Sequence, residues 1–378
     1  MKEKIEIEKI IESKKKELSV INHKIHLIAK NRISFLGINK NSVKNYHECS
    51  NSTIYFYYKE RERVIAEINI LFWMLENNNN IKYSFDNAAF QEFELLNNTS
   101  EVVYIKTFGG LGDCLMLTPA LRSIKTFFND RKIVVYCSQT THFEILKGNP
   151  FIDYYADDSF YEKNIDKFYA PDVYNILPSL IYPKKISKII CHLLNTIEVE
   201  DKLDLFLSQE EIEFGKEFKS NYCPFICINP TSKCSKNQEW PEHKWVQLVE
   251  KAKTKGFNIV QVGLKEENLI KDCIDLREKF TLRESLSVLN SSIGFIGVDS
   301  FWSHAASALN VPAIVLFGDS TPEIWGHENN INIYKKYDCS PCFELLYGQT
   351  CPYNKKCMND IEVNEVLSNF NIFNFVNT

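Results

Sequence analysis

The chain has 378 residues, with 44 Lys and Arg against 49 Asp and Glu for a net charge of −5. That length predicts two lobes of about 150 residues plus an extension. Its 44% hydrophobic and 25% charged residues exclude wholesale disorder, a collagen-like fibre and a multi-span membrane protein, and the slight acidic excess offers nucleic acid no basic field.

The N-terminal run MKEKIEIEKIIESKKKE interleaves charge through every turn and lacks the apolar centre of a secretory signal. It predicts a chain that stays in the cytoplasm, where its twelve cysteines are thiols or metal ligands instead of disulfides. Residues 1–95 read as a helical or mixed extension. Apolar residues at helical spacing predict one amphipathic helix over 3–30 and a second over 60–76. The aromatic run 53–60 reads as a strand or hairpin arm, and the Asn-rich stretch 76–90 as a linker. Nothing in this extension has catalytic spacing, so its expected roles are packing, homo-oligomerisation or acceptor binding.

From residue 101 the pattern becomes β-branched runs alternating with helical ones: VVYIK (102–106), a helix over 118–128 opened by Thr118 and Pro119, and IVVYCS (133–138). It restarts with FICIN (225–229), a helix over 241–255, NIVQVG (258–263), a helix over 282–290, IGFIGV (293–298), a helix over 302–309 and AIVLFG (313–318). Such alternation predicts a parallel α/β sheet. Two series of similar size imply two Rossmann-like lobes facing a cleft, the first over 96–215 and the second over 216–378. The sparsely charged stretch from Leu286 to Gly318 is interrupted by Asn, Ser, Gly and Pro, so it reads as buried strands and not as a membrane span. A peripheral association with the inner membrane stays open.

In parallel sheets ligands bind beyond the carboxyl ends of the strands, which directs attention to four loops. In Thr107–Asp113, three glycines allow close backbone approach, but neither G-x-G-x-x-G nor a P-loop is present. Asp113 is either a helix-terminal aspartate or a carboxylate aimed into the cleft; with Thr118 and Pro119 available as cap and first helical residue, the second reading gains weight. The loop after FICIN joins the hydroxyls of Thr231 and Ser232 to Lys233 and Lys236, a set suited to phosphate oxygens, with Trp240 as a flat apolar wall. After IGFIGV come Asp299, Ser300 and His304 at a helix start, where free N–H groups bind anions and a carboxylate can accept from sugar hydroxyls. Gly318 opens a fourth turn of the same kind.

The segments GGLGDCLMLTPALRSIK, QEWPEHKW, GVDSFWSHAASALNVPAIVLFGDSTPEIWG and CSPC…CM resemble, in order and spacing, the family 9 glycosyltransferases, whose best-known members are ADP-heptose:lipopolysaccharide heptosyltransferases. The resemblance covers about residues 101–368 and implies a GT-B fold, with an acceptor lobe followed by a nucleotide-sugar donor lobe. It implies Asp113 as general base, and donor contacts by Thr231, Ser232, Lys233 or Lys236, Asp299, Ser300 and His304; the loops themselves add Gly110, Gly112, Trp240 and Gly318 as expected donor contacts, and Arg283 is a further, weaker candidate. Phe301 departs from the family's usual glycine, Gln238 stands where a lysine is common, and the first 95 residues have no counterpart.

Eight cysteines are scattered among apolar or strand contexts, as ordinary buried thiols are. Cys339, Cys342, Cys351 and Cys357 fall together and match a tetrahedral thiolate site for structural zinc or iron, with no catalytic metal expected. The expected activity is inverting transfer of a sugar, heptose from ADP-heptose on the strength of the resemblance, to a hydroxyl of a lipopolysaccharide-like glycan. A protein O-heptosyltransferase acting on an autotransporter-type adhesin is the alternative acceptor reading. A nucleotide-sugar-binding scaffold, or a nucleotide-sugar epimerase or hydrolase, is the alternative of another class.

Overall fold

The structure is a computed structural model that describes Ser13 and residues 101–173, 185–194, 196–197, 199–342 and 350–373. The chain divides into two compact units, Met1–Phe85 and Asp86–Thr378, and everything below belongs to the second. The expected helices, strand and linker of the extension lie outside the described residues.

The first sheet is parallel, in the order β1 (Val102–Lys106), β2 (Lys132–Tyr136), β3 (Tyr154–Ala156). Its first strand alternates, Val103 and Ile105 buried while Tyr104 and Lys106 are partly open, whereas the central β2 buries Ile133, Val134 and Val135 in succession. Between β1 and β2 runs α1 (Leu111–Phe127), followed after β2 by α2 (Thr140–Leu146).

The start of α1 departs from expectation. Thr118 and Pro119 do not open the helix; Pro119 lies inside it and Gly110 is the N-cap. A proline in a helix interior leaves the carbonyl four residues back without its N–H. Here the Thr118 hydroxyl donates to Leu115 O at 2.7 Å, supplying the group Pro119 cannot. The helix therefore begins inside the glycine loop, bringing Asp113 into its first turn.

The second sheet has six parallel strands: β4 (Phe225–Asn229), β5 (Asn258–Gln261), β6 (Ile274–Asp275), β7 (Gly294–Val298), β8 (Ala313–Phe317) and β9 (Asn330–Tyr334). Their order, β6-β5-β4-β7-β8-β9, is that of a doubly wound sheet whose strand direction of growth reverses between β4 and β7. Strands β4, β7 and β8 are buried throughout, so they read as unbroken apolar runs and not as alternation. Phe225, Cys227, Phe295, Val315 and Phe317 face one core; Ile226, Ile228, Ile296, Ile314 and Leu316 face the other, with Trp245 and Met358.

Two helices on this sheet, α3 (Gln209–Tyr222) and α4 (Leu282–Ser291), begin with reciprocal caps. Ser208 and Glu211 exchange bonds at 2.7 and 3.2 Å, and Thr281 and Glu284 at 2.8 and 3.2 Å, each satisfying backbone donors a helix start leaves open. They pack closely because Gly215 lies against the Ser287 carbonyl, where a side chain would collide.

Candidate functional site

Beyond β4 and β7, at the reversal point, Ser300 Oγ donates to Asn229 Oδ1 at 3.2 Å. Asn229 is itself held by its Nδ2, which donates to Val262 O at 3.1 Å and Glu267 Oε2 at 3.2 Å. Ser300 is the N-cap of α5 (Phe301–Ala308), which carries His304. Burial holds the Glu267 carboxyl above its ordinary range. Thr231 Oγ1 is buried near it without a well-formed bond among the described residues.

Asp299 and His304 are both buried, with His304 Nε2 lying 3.8 Å from Asp299 Oδ1. Burial, reinforced by the charge of Asp319 and opposed by the nearby Ser320 hydroxyl, pushes the Asp299 carboxyl up to about 7. Burial, then the positive Lys185, pushes His304 down to about 4. His304 Nδ1 lies 2.8 Å from His327 Nε2, and His327 is also held well below the usual imidazole range by burial first, then by His304 and Lys185. Lys185 Nζ donates to Pro322 O at 2.7 Å and also to Gly326 O.

The glycine loop of the first sheet meets this group. Gly109 has φ 63°, and a side chain there would strike the Asp113 carboxylate; glycine is the residue that takes this conformation without cost. Asp113 is buried, and its Oδ2 accepts from Gly110 N at 2.7 Å. It therefore caps α1, the role sequence reasoning gives to Thr118, while also standing at the mouth of the loop. A Cβ on Gly112 would lie 2.9 Å from His304 Cδ2 and 3.9 Å from Phe301 Cα, so the two sheets' loops touch here. Cys234 is exposed as a residue, yet its thiol is raised by local burial, then by Asp113 and Asp299. One thiol thus senses a carboxylate from each sheet.

Several expected site residues are placed elsewhere. Arg283 is buried and fully engaged: Nε and Nη2 on Glu211 at 2.8 and 2.6 Å, Nη1 on Glu144 O at 2.9 Å and Nη2 also on Phe206 O. These bonds engage all three of its nitrogens and make it a structural tie within the fold. Trp240 is buried edge-on against Trp245, with Nε1 donating to Ile361 O at 3.0 Å; its width suits a core, not a cleft wall. Gly318 is a close-packing glycine, where a Cβ would sit 2.8 Å from Met358 and 3.0 Å from Asn237 O. The helix after it, Pro322–Trp325, has only four residues. Ser232 points inward to Gln238 Oε1 at 2.5 Å, so the glutamine at the lysine's usual place serves as its partner. Lys236 is exposed and paired with Glu239 at 2.7 Å, leaving Lys233, exposed beside Cys234, as the better placed cation.

Sequence reasoning missed His327 and Lys185 altogether. His327 follows the quoted segment ending in WG by one position, but its separation of 23 residues from His304 corresponds to no local period, so spacing gives no signal. Lys185 lies in the bridging stretch, which no motif marks.

The fold brings the four clustered cysteines into one neighbourhood. Cys342 and Cys357 are buried, Cys339 and Cys351 partly so. Burial first pushes up Cys339, Cys342 and Cys357, the last to about 11; the charge of Asp319 comes next for Cys342, and neighbouring thiols add to all three. The thiol donor set suits a soft metal, although among the described residues no group of three or more His, Cys, Asp or Glu stands at metal-binding geometry. No helix among the described residues is long and apolar enough to cross a membrane.

The sequence profile of glycosyltransferase family 9 (heptosyltransferase) matches residues 186–353. Over that stretch the chain is similar to the family 9 heptosyltransferases. It is 25% identical over 113 residues to lipooligosaccharide heptosyltransferase 2 of Haemophilus influenzae, covering 26% of this chain and 33% of that one. It is 23% identical over 133 residues to lipopolysaccharide heptosyltransferase 1 of Pseudomonas aeruginosa, covering 31% and 34%. The chain thus spans about a third of the length of these curated relatives. In fold it is similar to a family 9 glycosyl transferase from Veillonella parvula (TM-score 0.55, 17% identity, 73% of this chain and 99% of that one). It is also similar to the iron-containing dodecameric glycosyltransferase TibC from enterotoxigenic E. coli (TM-score 0.58, 17% identity, 72% and 78%). A third likeness is to E. coli ADP-heptose lps heptosyltransferase II (TM-score 0.54, 16% identity, 72% and 98%).

Proposed function

We propose that the protein is an inverting glycosyltransferase that moves a sugar, heptose from ADP-heptose, onto a hydroxyl of a cell-envelope glycan such as a lipopolysaccharide core, working in the cytoplasm. The observation carrying this reading is the meeting of the Asp113 loop with Asp299, Ser300 and His304: Gly112 lies against His304 at the reversal point of a nucleotide-binding sheet. The heptose donor is supported by the likeness to TibC, solved in complex with ADP-D-beta-D-heptose.

In this mechanism the acceptor oxygen attacks the anomeric carbon as Asp113 takes the hydroxyl proton. The anomeric C–O bond to the diphosphate breaks on the opposite face, and its electron pair leaves with the nucleoside diphosphate. The exposed Lys233 and the backbone N–H groups at the start of α5 meet the charge that develops there. Asp299 and Ser300 hold donor hydroxyls, and Thr231 and Glu267 lie on the same sheet edge for the nucleoside. The lobes divide near residue 215, the first taking acceptor and the second donor. Cys339, Cys342, Cys351 and Cys357 would hold an iron or zinc ion, which would supply rigidity and no step of the transfer.

The test incubates the full chain with a panel of nucleotide sugars and acceptors, a lipopolysaccharide core and an autotransporter adhesin among them. The expected result is transfer from ADP-heptose to the core, lowered about 10²–10⁴-fold in kcat by Asp113→Asn with donor affinity kept. Unchanged transfer by the variant would remove Asp113 as base. Transfer to the adhesin alone would overturn the glycan acceptor, and donor binding without turnover would leave a scaffold. Metal analysis of the same preparation should find about one equivalent of iron or zinc; none, with all four thiols alkylated, would overturn the metal site.

A further inference from the structure

We propose that His327 is a positioning residue that fixes His304 in one tautomer, so that His304 presents its Nε2–H, a neutral hydrogen-bond donor, at the junction of the two sheets' loops. The inference begins with two buried rings in perpendicular contact, His304 Nδ1 and His327 Nε2 lying 2.8 Å apart. At that distance one nitrogen carries the proton and the other accepts it. Both rings are neutral, held there by burial and by Lys185.

Two arrangements are possible. If His304 Nδ1 donates, His304 Nε2 turns a lone pair toward Asp299 Oδ1 at 3.8 Å. His327 Nδ1 then carries a proton with no acceptor among the described residues. If His327 Nε2 donates, His304 carries its proton on Nε2, directed at the Asp299 carboxylate, whose Oδ1 has no other partner among the described residues. What remains unmatched is then only a lone pair on His327 Nδ1. A buried N–H without an acceptor is rarer and costlier than an unshared lone pair, and a proton facing the carboxylate is favourable where a lone pair is repelled. Both considerations select the second arrangement.

The same edge of His304 lies against Gly112 of the first sheet's loop. A donor N–H fixed there serves an oxygen of the sugar or diphosphate as it enters between the loops. A base at this point would compete with Asp113 for the acceptor proton, and the histidine pair prevents that. The last two statements rest on the transfer reading; the tautomer does not.

The test uses the full chain labelled with ¹⁵N-histidine, recording two-bond ¹H–¹⁵N correlations at pH 8, with the His304 signals assigned by their loss in His304→Gln. The expected wild-type pattern is a protonated Nε2 and an unprotonated Nδ1 on His304. In His327→Gln the side-chain amide can still donate and the pattern persists; in His327→Phe only the Asp299 carboxylate still favours Nε2–H, and the pattern becomes mixed. Donor KM is expected to rise about tenfold in His327→Phe and to stay within about twofold in His327→Gln. A protonated Nδ1 in wild type, or a pattern unchanged in His327→Phe, overturns the proposal. Should His327→Phe fail to fold, the wild-type and His327→Gln spectra decide alone. A correct tautomer pattern in a chain that transfers no sugar would instead overturn the transfer reading.

Discussion

Ser300 and Asn229 join hydroxyl to amide oxygen at 3.2 Å, tying the two strands that flank the reversal point across the mouth of the crevice. Because Asn229 is also braced by Val262 O and Glu267, the Ser300 oxygen is held on the side from which a donor would approach. Ser300→Ala removes a hydrogen bond of about 1 kcal/mol, so melting should fall by no more than about 4 °C. Donor KM should rise by about tenfold. Steady-state kinetics beside a thermal melt separate these effects, and an unchanged KM would remove Ser300 from the donor site.

The Asp299 carboxyl gives stability a defined pH dependence. Its folded value of about 7 exceeds its unfolded value, so the folded chain holds a proton the unfolded chain has lost. The contribution is fully present below the unfolded value and disappears as pH rises through about 7. Asp299→Asn, which keeps the shape, should melt with wild type at pH 4 and above it at pH 8. The gap should widen by on the order of 1 kcal/mol per pH unit from about pH 4 to about 7 and level off above that. His304, shifted the other way, largely cancels in this difference; a gap independent of pH contradicts a carboxyl titrating there.

Gly112→Ala tests the contact between the loops. Its Cβ would press on His304 Cδ2 at 2.9 Å, closer than carbon atoms pack, so the imidazole must turn. Overpacking of this kind costs about 1–3 kcal/mol. The expected result is a fall in kcat/KM of about tenfold or more, with the histidine correlation pattern disturbed. Wild-type kinetics would show the loops do not meet during turnover.

Arg283→Met separates a tie from a ligand. Glu211 would remain partly buried without its partner, a loss on the order of 3–5 kcal/mol, so the chain should melt well below wild type. At temperatures where the variant is folded, its donor KM should be unchanged; a raised KM would restore Arg283 to the donor site.

The two parallel series were legible because their strands are short apolar runs between helical segments, and four of the second sheet's six strands fall where the runs lie; β6, two residues long, and β9, with Asn at alternate positions, give no such run. The start of α1 was not. Pro119 has the local signature of a helix opening, and only the backward bond of Thr118 to Leu115 O lets the helix run through it. Trp240 and Arg283 sit in motif-like surroundings, yet what settles their orientation is a carbonyl or carboxylate far along the chain, Ile361 O for one and Glu211 for the other. Asp299, Ser300 and His304 could be picked out because they follow directly from a buried strand. The partner that orients His304 could not, since two residues brought together by separate turns of the same sheet share no period.

The loops on the donor side lean on residues well over a hundred positions downstream. Trp240 Nε1 and Lys244 Nζ both donate to Ile361 O, at 3.0 and 2.8 Å. Cys351 N donates to Asn237 Oδ1 at 3.0 Å. A chain made from its N-terminus folds its early segments first, so on the ribosome β4 and its loop emerge well before the segment that fastens them. The crevice therefore takes its final shape late in synthesis, after the glycine loop and the sheets around it have formed, and a nascent chain stopped before residue 361 has most of the walls of this site without their fastening.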